Sequence, residues 1–324
     1  MKKETLIKLL ITVILLVVIF RQFNVNLSGI FNRVEHPVYI ILTFLFPCFL
    51  IPYISTNRWK LFLLQIGVRE KLLNLAKINF KSMFIGITLP SSQGCDVFRV
   101  LFIEKAHPEY RGKVGSTVLV ERIFGFVLLA LWAFLFSMFL PESANKSAIV
   151  LIASICFFAI VLCVFLITRA FFNKWLLVIK AKIKIKMLDS VISYIIVFQK
   201  TLSVFPYKKV FFSSVVWIIA YQLSIVFVVY FIFKAYGINI PFVQHLALYP
   251  IISILSLIPV SISGLGIREG FFVYFYSSFG VPADIAVSVS LMNFCIMSLT
   301  PAFVGAVLYI IDALKSKTKA IHEE

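Results

Sequence analysis

Arg99 and Arg268 each stand just beyond a Pro, Ser and Gly interruption of a strongly apolar run. The two segments are Leu89-Pro90-Ser91-Ser92-Gln93-Gly94-Cys95-Asp96-Val97-Phe98-Arg99 and Ile258-Pro259-Val260-Ser261-Ile262-Ser263-Gly264-Leu265-Gly266-Ile267-Arg268-Glu269. Within hydrocarbon, backbone groups freed by Pro and Gly find no water, and a charge costs at least ~2.5 kcal/mol. Something must satisfy them. Helices that restart near Asp96 and Ile267 would aim their N-terminal amides and positive dipole ends at a place where a guanidinium sits about one turn in, a combination suited to a phosphate. Gly94, Arg99, Gly264, Gly266 and Arg268 are therefore candidate contacts for an anionic head group. Asp96, Glu121, Arg122 and Glu269 belong to the same candidate set. They fit equally well as ion-pair partners that hold the broken helices together, and a carboxylate among them could titrate.

These residues need apolar elements to position them, and the composition supplies little else. The 324 residues are 61% hydrophobic and only 14% charged, with 35 Phe and a mean hydropathy of +1.02. A soluble domain is roughly 45–50% apolar. The chain reads as an all-α polytopic membrane protein forming a single membrane domain over residues 1–324. The five cysteines, Cys48, Cys95, Cys156, Cys163 and Cys295, lie in or beside apolar runs without metal-ligand spacing, and the four histidines are scattered. They point to packing rather than to a metal or cofactor.

Six full spans are expected, at Thr5–Phe20, Val38–Ile54, Val118–Leu140, Ala148–Thr168, Val210–Phe233 and Ile285–Ile310. Trp59, beside Arg58 and Lys60, is expected at a membrane interface. The last span opens near Pro282 and should bend at Pro301. Three apolar runs, Ile78–Leu89, Leu246–Ile258 and Phe271–Phe279, are too short to cross ~30 Å at 1.5 Å per residue. They read as parts of two re-entrant helical hairpins around the interruptions. Gly237 and Gly280 read as turn glycines, and Gln222, Asn293 and Thr300 as interhelical hydrogen-bonding residues.

With a cytoplasmic amino terminus and two re-entrant hairpins, all of the 31 basic residues except Arg21, Arg33, Lys146, Lys234 and Arg268 fall on the cytoplasmic side. The net charge of +17 is thereby read as a surface facing anionic lipid and not a nucleic-acid footprint. Both termini are expected to be cytoplasmic, in the cell (cytoplasmic) membrane. A basic connection spans about 169–209 and a basic tail 313–324. The two halves, about 1–140 and 148–312, each read span, span, hairpin, span with opposite orientation, the plan of an inverted repeat with broken helices near the midplane.

The run Asn57-Arg58-Trp59-Lys60, the segment Leu89-Pro90 through Gly94-Cys95-Asp96-Val97-Phe98-Arg99, Val120-Glu121-Arg122-Ile123-Phe124-Gly125 and Gly264-Leu265-Gly266-Ile267-Arg268-Glu269-Gly270 together resemble the lysylphosphatidylglycerol synthase transmembrane-region family, the flippase-like proteins. Cys95 stands where a Gly commonly precedes the Asp. The resemblance implies lipid handling: binding and translocation of a lipid with an anionic or amino-acylated head group, such as a phospholipid, a lysyl-phospholipid or a polyprenyl-phosphate-linked lipid. In the bifunctional members a soluble aminoacyl-transferase domain follows; this sequence stops at Glu324 without one, so aminoacyl transfer is not expected. A membrane-embedded glycosyl- or lipid-modifying transferase is a rival class, although no nucleophile, base and metal set accompanies Asp96 or Glu121. An accessory role beside envelope-biosynthesis enzymes is a third.

Overall fold

A computed structural model gives the architecture. It describes residues 17–18, 21, 33–87, 94–142, 145–168, 207–257, 261 and 264–323, with side chains except for 166–168, 207–209 and 315–323. The expected first span Thr5–Phe20, apart from Val17 and Val18, lies outside the described residues. So do residues 88–93, 258–260 and 262–263 of the two interruptions and residues 169–206 of the basic connection.

Every regular element among the described residues is helical. We number the helices α1 (Pro37–Gln65), α2 (Leu72–Gly86), α3 (Gly94–Ala106), α4 (Val114–Ser137), α5 (Lys146–Thr168), α6 (Tyr207–Ala235), α7 (Phe242–Leu255), α8 (Ile267–Ser277) and α9, which runs through Ala283–Phe294, Cys295–Leu299 and Thr300–Glu323. Among the described residues, five segments are long and apolar enough to cross a bilayer: Pro37–Gln65, Val114–Ser137, Lys146–Phe165, Val210–Ala235 and Ala283–Leu314. The protein is an integral, multi-pass membrane protein. α2 and α7 are only 15 and 14 residues long, and each is followed by a further short helix, α3 or α8, that packs against it.

α1 and α6 end in the same way. Gly67 and Gly237 have φ of 92° and 71°, a left-handed conformation that only glycine adopts without strain. The amides that follow reach back over the helix end, Val68 N–H to Leu63 O at 3.1 Å and Ile238 N–H to Phe233 O at 3.0 Å. Orphan carbonyls are satisfied in both places by one motif. In each case the next helix opens at the fifth residue after the glycine, at Leu72 and at Phe242.

The packing repeats this correspondence. α2 runs along α9 and α7 along α4, both extensive helix contacts among the described residues. α1 packs on α2 and α4; α6 packs on α7 and α9; α3 rests on α4 as α8 rests on α9. α1 and α6 lie against each other at the centre. Exchanging α1 with α6, α2 with α7, α3 with α8 and α4 with α9 leaves this set of contacts unchanged. The larger apolar core, which includes Val228, Phe233, Leu248, Ile251, Phe272, Tyr276 and Ile296, joins α4 through α9. A smaller one, with Trp59, Leu63, Leu75, Ile103, Val114 and Val118, joins α1 to α4.

Two helices carry π-turns, at Phe46–Leu50 in α1 and Cys295–Leu299 in α9. A proline follows each at the second residue, Pro52 and Pro301. A proline deprives the carbonyl four residues earlier of its donor, and a wider turn is one way for a helix to absorb that loss. A bend was expected at Pro301, and a π-turn directly precedes that proline; the matching π-turn in α1 was not foreseen.

Three expectations need correction. The second span does not end at Ile54, because its helix continues unbroken to Gln65. Trp59 is therefore not an interfacial residue; it is fully buried. Arg58, Arg99 and Arg122, counted above among cytoplasmic charges, sit in an internal ion-pair network. They are held by protein carboxylates and do not report membrane orientation.

Candidate functional site

The site starts from α4. Val114–Ser137 carries Glu121 and Arg122 on adjacent positions, and Glu121 is turned inward with 1% of its surface exposed. A carboxylate buried at this depth must be paired, and each of its oxygens meets a different arginine. Arg58 of α1 donates from Nε to Oε1 at 2.7 Å, with Nη2 also 2.7 Å from Oε1. Arg99 of α3 donates from Nη2 to Oε2 at 3.0 Å. Arg99 then reaches Asp96, one turn earlier on α3, through Nη1 at 3.1 Å. Asp96 in turn takes a two-pronged contact from Arg122, Nε to Oδ2 at 2.7 Å and Nη2 to Oδ1 at 2.9 Å.

The result is an alternating chain, Arg58, Glu121, Arg99, Asp96, Arg122, that begins and ends on arginine. Three cations face two carboxylates. The rings of Trp59 and Tyr221 complete the support, with the guanidinium carbons of Arg99 and Arg58 at 4.2 and 4.9 Å from their centroids.

This network forms one wall of a cavity of about 90 Å³, space for several water molecules or a small polar group. Arg58, Arg99 and Arg122 line it, together with Ser55, Asn79, Cys95 and Tyr221. Neither Asp96 nor Glu121 does. The apolar part of the lining comes from Pro47, Ile51 and Pro52 of α1, Phe80 and Met83 of α2, and Met297 and Pro301 of α9. Two polar atoms on the lining residues are buried without a partner: Arg99 Nε and Asn79 Oδ1. Asn79 uses its other end to donate to Thr56 Oγ1 at 2.7 Å.

The second interruption builds a separate cluster. Gly266, with φ of 89°, precedes α8 and donates its N–H to Glu269 Oε2 at 2.5 Å, the reciprocal half of a capping box. Glu269 is fully buried, and its Oε1 accepts from Arg268 Nη2 at 2.7 Å and from Ser290 Oγ at 2.9 Å. Arg268 also donates from Nε to Ser290 Oγ at 3.0 Å and lies over the Phe294 ring at 5.1 Å. Asn293 bridges α9 to α7 through Tyr249 Oη at 3.3 Å. Here one cation meets one carboxylate.

Of the candidate residues, Asp96, Arg99, Glu121 and Arg122 are thus brought together, with Gly94 buried at the start of α3. Gly266, Arg268 and Glu269 meet elsewhere, with Gly264 nearby in the chain at φ 73°. Arg268 does not line the arginine-walled cavity. Arg58, Ser55, Asn79 and Tyr221 were missed as site residues. Arg58 sits at the end of an apolar run beside Trp59, and one more turn assigned to that helix would have placed it inside.

A helical multi-pass membrane protein with an internal arginine-walled cavity is the class that these features define. The chain matches the family described as Lysylphosphatidylglycerol synthase TM region over residues 5–305 and belongs to that family. It is also similar to a UPF0104 membrane protein of Methanocaldococcus jannaschii, 24% identical over 295 residues that make up 85% of each chain.

Proposed function

We propose that this protein binds a membrane lipid through an anionic head group and moves it across the cell membrane. The observation that carries this reading is the orientation of the internal network. Arg58, Arg99 and Arg122 all line the cavity, whereas Asp96 and Glu121, which pair with them, do not. A purely structural network has no reason to present one sign of charge to an open space. A cavity lined by both arginines and apolar side chains suits a molecule with acyl chains and a phosphate.

The architecture supports the transport half of the reading. The exchange of α1–α4 with α6–α9 that preserves the helix contacts is what an inverted repeat produces, with α2 and α3, and α7 and α8, as re-entrant pairs entering from opposite faces. Both termini then face the cytoplasm. Prolines and π-turns on two cavity helices provide places where those helices can flex.

The test is reconstitution into liposomes with fluorescent phosphatidylglycerol, following loss of protection from an impermeant quencher. Transport is expected for the native protein and loss for Arg122→Gln. That arginine is the most exposed of the three, at 30% of its side chain, and its removal leaves Asp96 paired with Arg99. A chemically altered lipid would instead make the protein a transferase. Neither movement nor product would leave it an accessory to another membrane enzyme.

A further inference from the structure

The alternating chain of charges is out of balance, and the imbalance sits at its inner end. Asp96 takes the two-pronged contact of Arg122, so these two charges match one to one. Arg58 and Arg99, each with 8% of the side chain exposed, share the single charge of Glu121, and Arg99 adds only a longer contact to Asp96 at 3.1 Å. Three arginines against two carboxylates leave one positive charge. No carboxylate is among the described residues that line the cavity, and Arg268 of the second cluster is matched by Glu269. A positive charge enclosed by apolar helices is strongly penalised until an anion neutralises it.

The cavity decides which anion. Its volume of about 90 Å³ gives room for a small ion and a few waters. One negative charge completes the series; two would exchange an excess cation for an excess anion. The cost of stripping water from an ion also rises steeply with its charge, and Phe80, Met83 and Met297 on the lining return nothing for the water removed. A singly charged ion is therefore favoured over sulfate or a doubly charged phosphate. The cradle is held in advance: Glu121 fixes Arg58 and Arg99 from one side, and the rings of Tyr221 and Trp59 lie 4.9 and 4.2 Å from their guanidinium carbons. Little ordering is left for binding to impose.

We infer that the cavity is a binding site for a small inorganic monoanion of the size of chloride, held as the counter-ion of Arg58 and Arg99. The site stands on the charge balance and the cavity alone and does not require the lipid reading above.

The experiment is equilibrium dialysis of the full chain, stripped of copurifying lipid in an uncharged detergent, against radiolabelled chloride with sodium gluconate holding the ionic strength. The native protein should bind one chloride per chain saturably, displaced by bromide and nitrate and not by gluconate or sulfate. Arg58→Gln and Arg122→Gln each leave two arginines against two carboxylates, and each should weaken chloride binding by at least about tenfold. Both should also lose the rise in Tm that chloride gives the native chain. Lys105→Gln lowers the net charge equally at an exposed position and should leave binding unchanged. Absence of saturable binding to the native chain, displacement by sulfate as effective as by bromide, or unchanged binding in both arginine variants would overturn the assignment. Lipid transport without chloride binding would remove this site and leave the proposed function standing; chloride binding without lipid movement would do the reverse.

Discussion

Arg58 and Glu121 lie 63 positions apart in the chain and meet at 2.7 Å in the interior. This contact ties α1 to α4 and, through the second oxygen of Glu121, to α3. The two arginines that share Glu121 are among the three that line the cavity, so one buried carboxylate sets the position of two guanidiniums.

Glu121→Gln should therefore be severely destabilising. It leaves Arg58 and Arg99 enclosed with too little negative charge, and breaking a buried pair typically costs ~3–5 kcal/mol. A large fall in Tm and loss of monodispersity are expected in detergent. Arg122→Gln should shift Tm by much less. Comparable losses for the two would contradict the order of burial, 1% for Glu121 against 30% for the Arg122 side chain.

Pro301→Ala restores an N–H donor for the carbonyl four residues earlier, that of Met297. A proline inside a helix is worth ~3 kcal/mol against alanine when nothing compensates for it. Here the π-turn at Cys295–Leu299 already accommodates it. The variant should keep or raise its Tm while the reshaped wall weakens phosphatidylglycerol binding by about tenfold, or ~1.4 kcal/mol. Unchanged affinity, read by thermal shift with added lipid, would show that the π-turn does not shape the site.

At Gly305, α9 lies close against α2. A Cβ there would run into the Phe80 carbonyl and come within 3.0 Å of Phe84 Cβ. Gly305→Ala should cost ~1–3 kcal/mol through overpacking, measured as Tm or as the denaturant midpoint in mixed micelles. Since Phe80 lines the cavity, weaker lipid binding should accompany the loss.

Outside the candidate membrane spans, His107 donates from Nε2 to Glu70 Oε1 at 2.9 Å, joining the turn before α2 to the end of α3. The hydrogen bond from His107 is the largest influence holding the Glu70 carboxyl below its ordinary value of 4.5. A depressed carboxyl stabilises the fold at pH above its unfolded value and loses that contribution as pH falls through its folded one. Tm should drop more steeply below about pH 4.5 for the native protein than for Glu70→Gln. Parallel profiles would exclude this contact as the source.

Much of the architecture was legible in the chain. The spans at Val118, Ala148, Val210 and Ile285 register in apolar length alone, since a bilayer demands about twenty residues of it. Arg99, Asp96, Glu121 and Arg122 stood out because charges in such company need a reason. Arg58 did not, because the local cue that ended its helix at Ile54 was composition. Only contact with α4 shows that the helix goes on and that its arginine is buried. Trp59 was misplaced for the same reason: a tryptophan beside two basic residues looks interfacial until Arg99 is found stacked on it.

The amino-acid sequence by itself determined that this protein is helical, embedded in a membrane, and twice interrupted by polar, charged segments. Hydrophobic length and the energetics of polar groups in lipid are local properties, readable without a fold. The tertiary structure decided that the two interruptions serve separate clusters, that α2 and α7 each pack on the last long helix of the opposite half, and that one cluster holds one arginine more than it has carboxylates beside a cavity. Those facts rest on pairings between residues far apart in sequence, and the balance of three cations against two carboxylates exists only once α1, α3 and α4 are brought together.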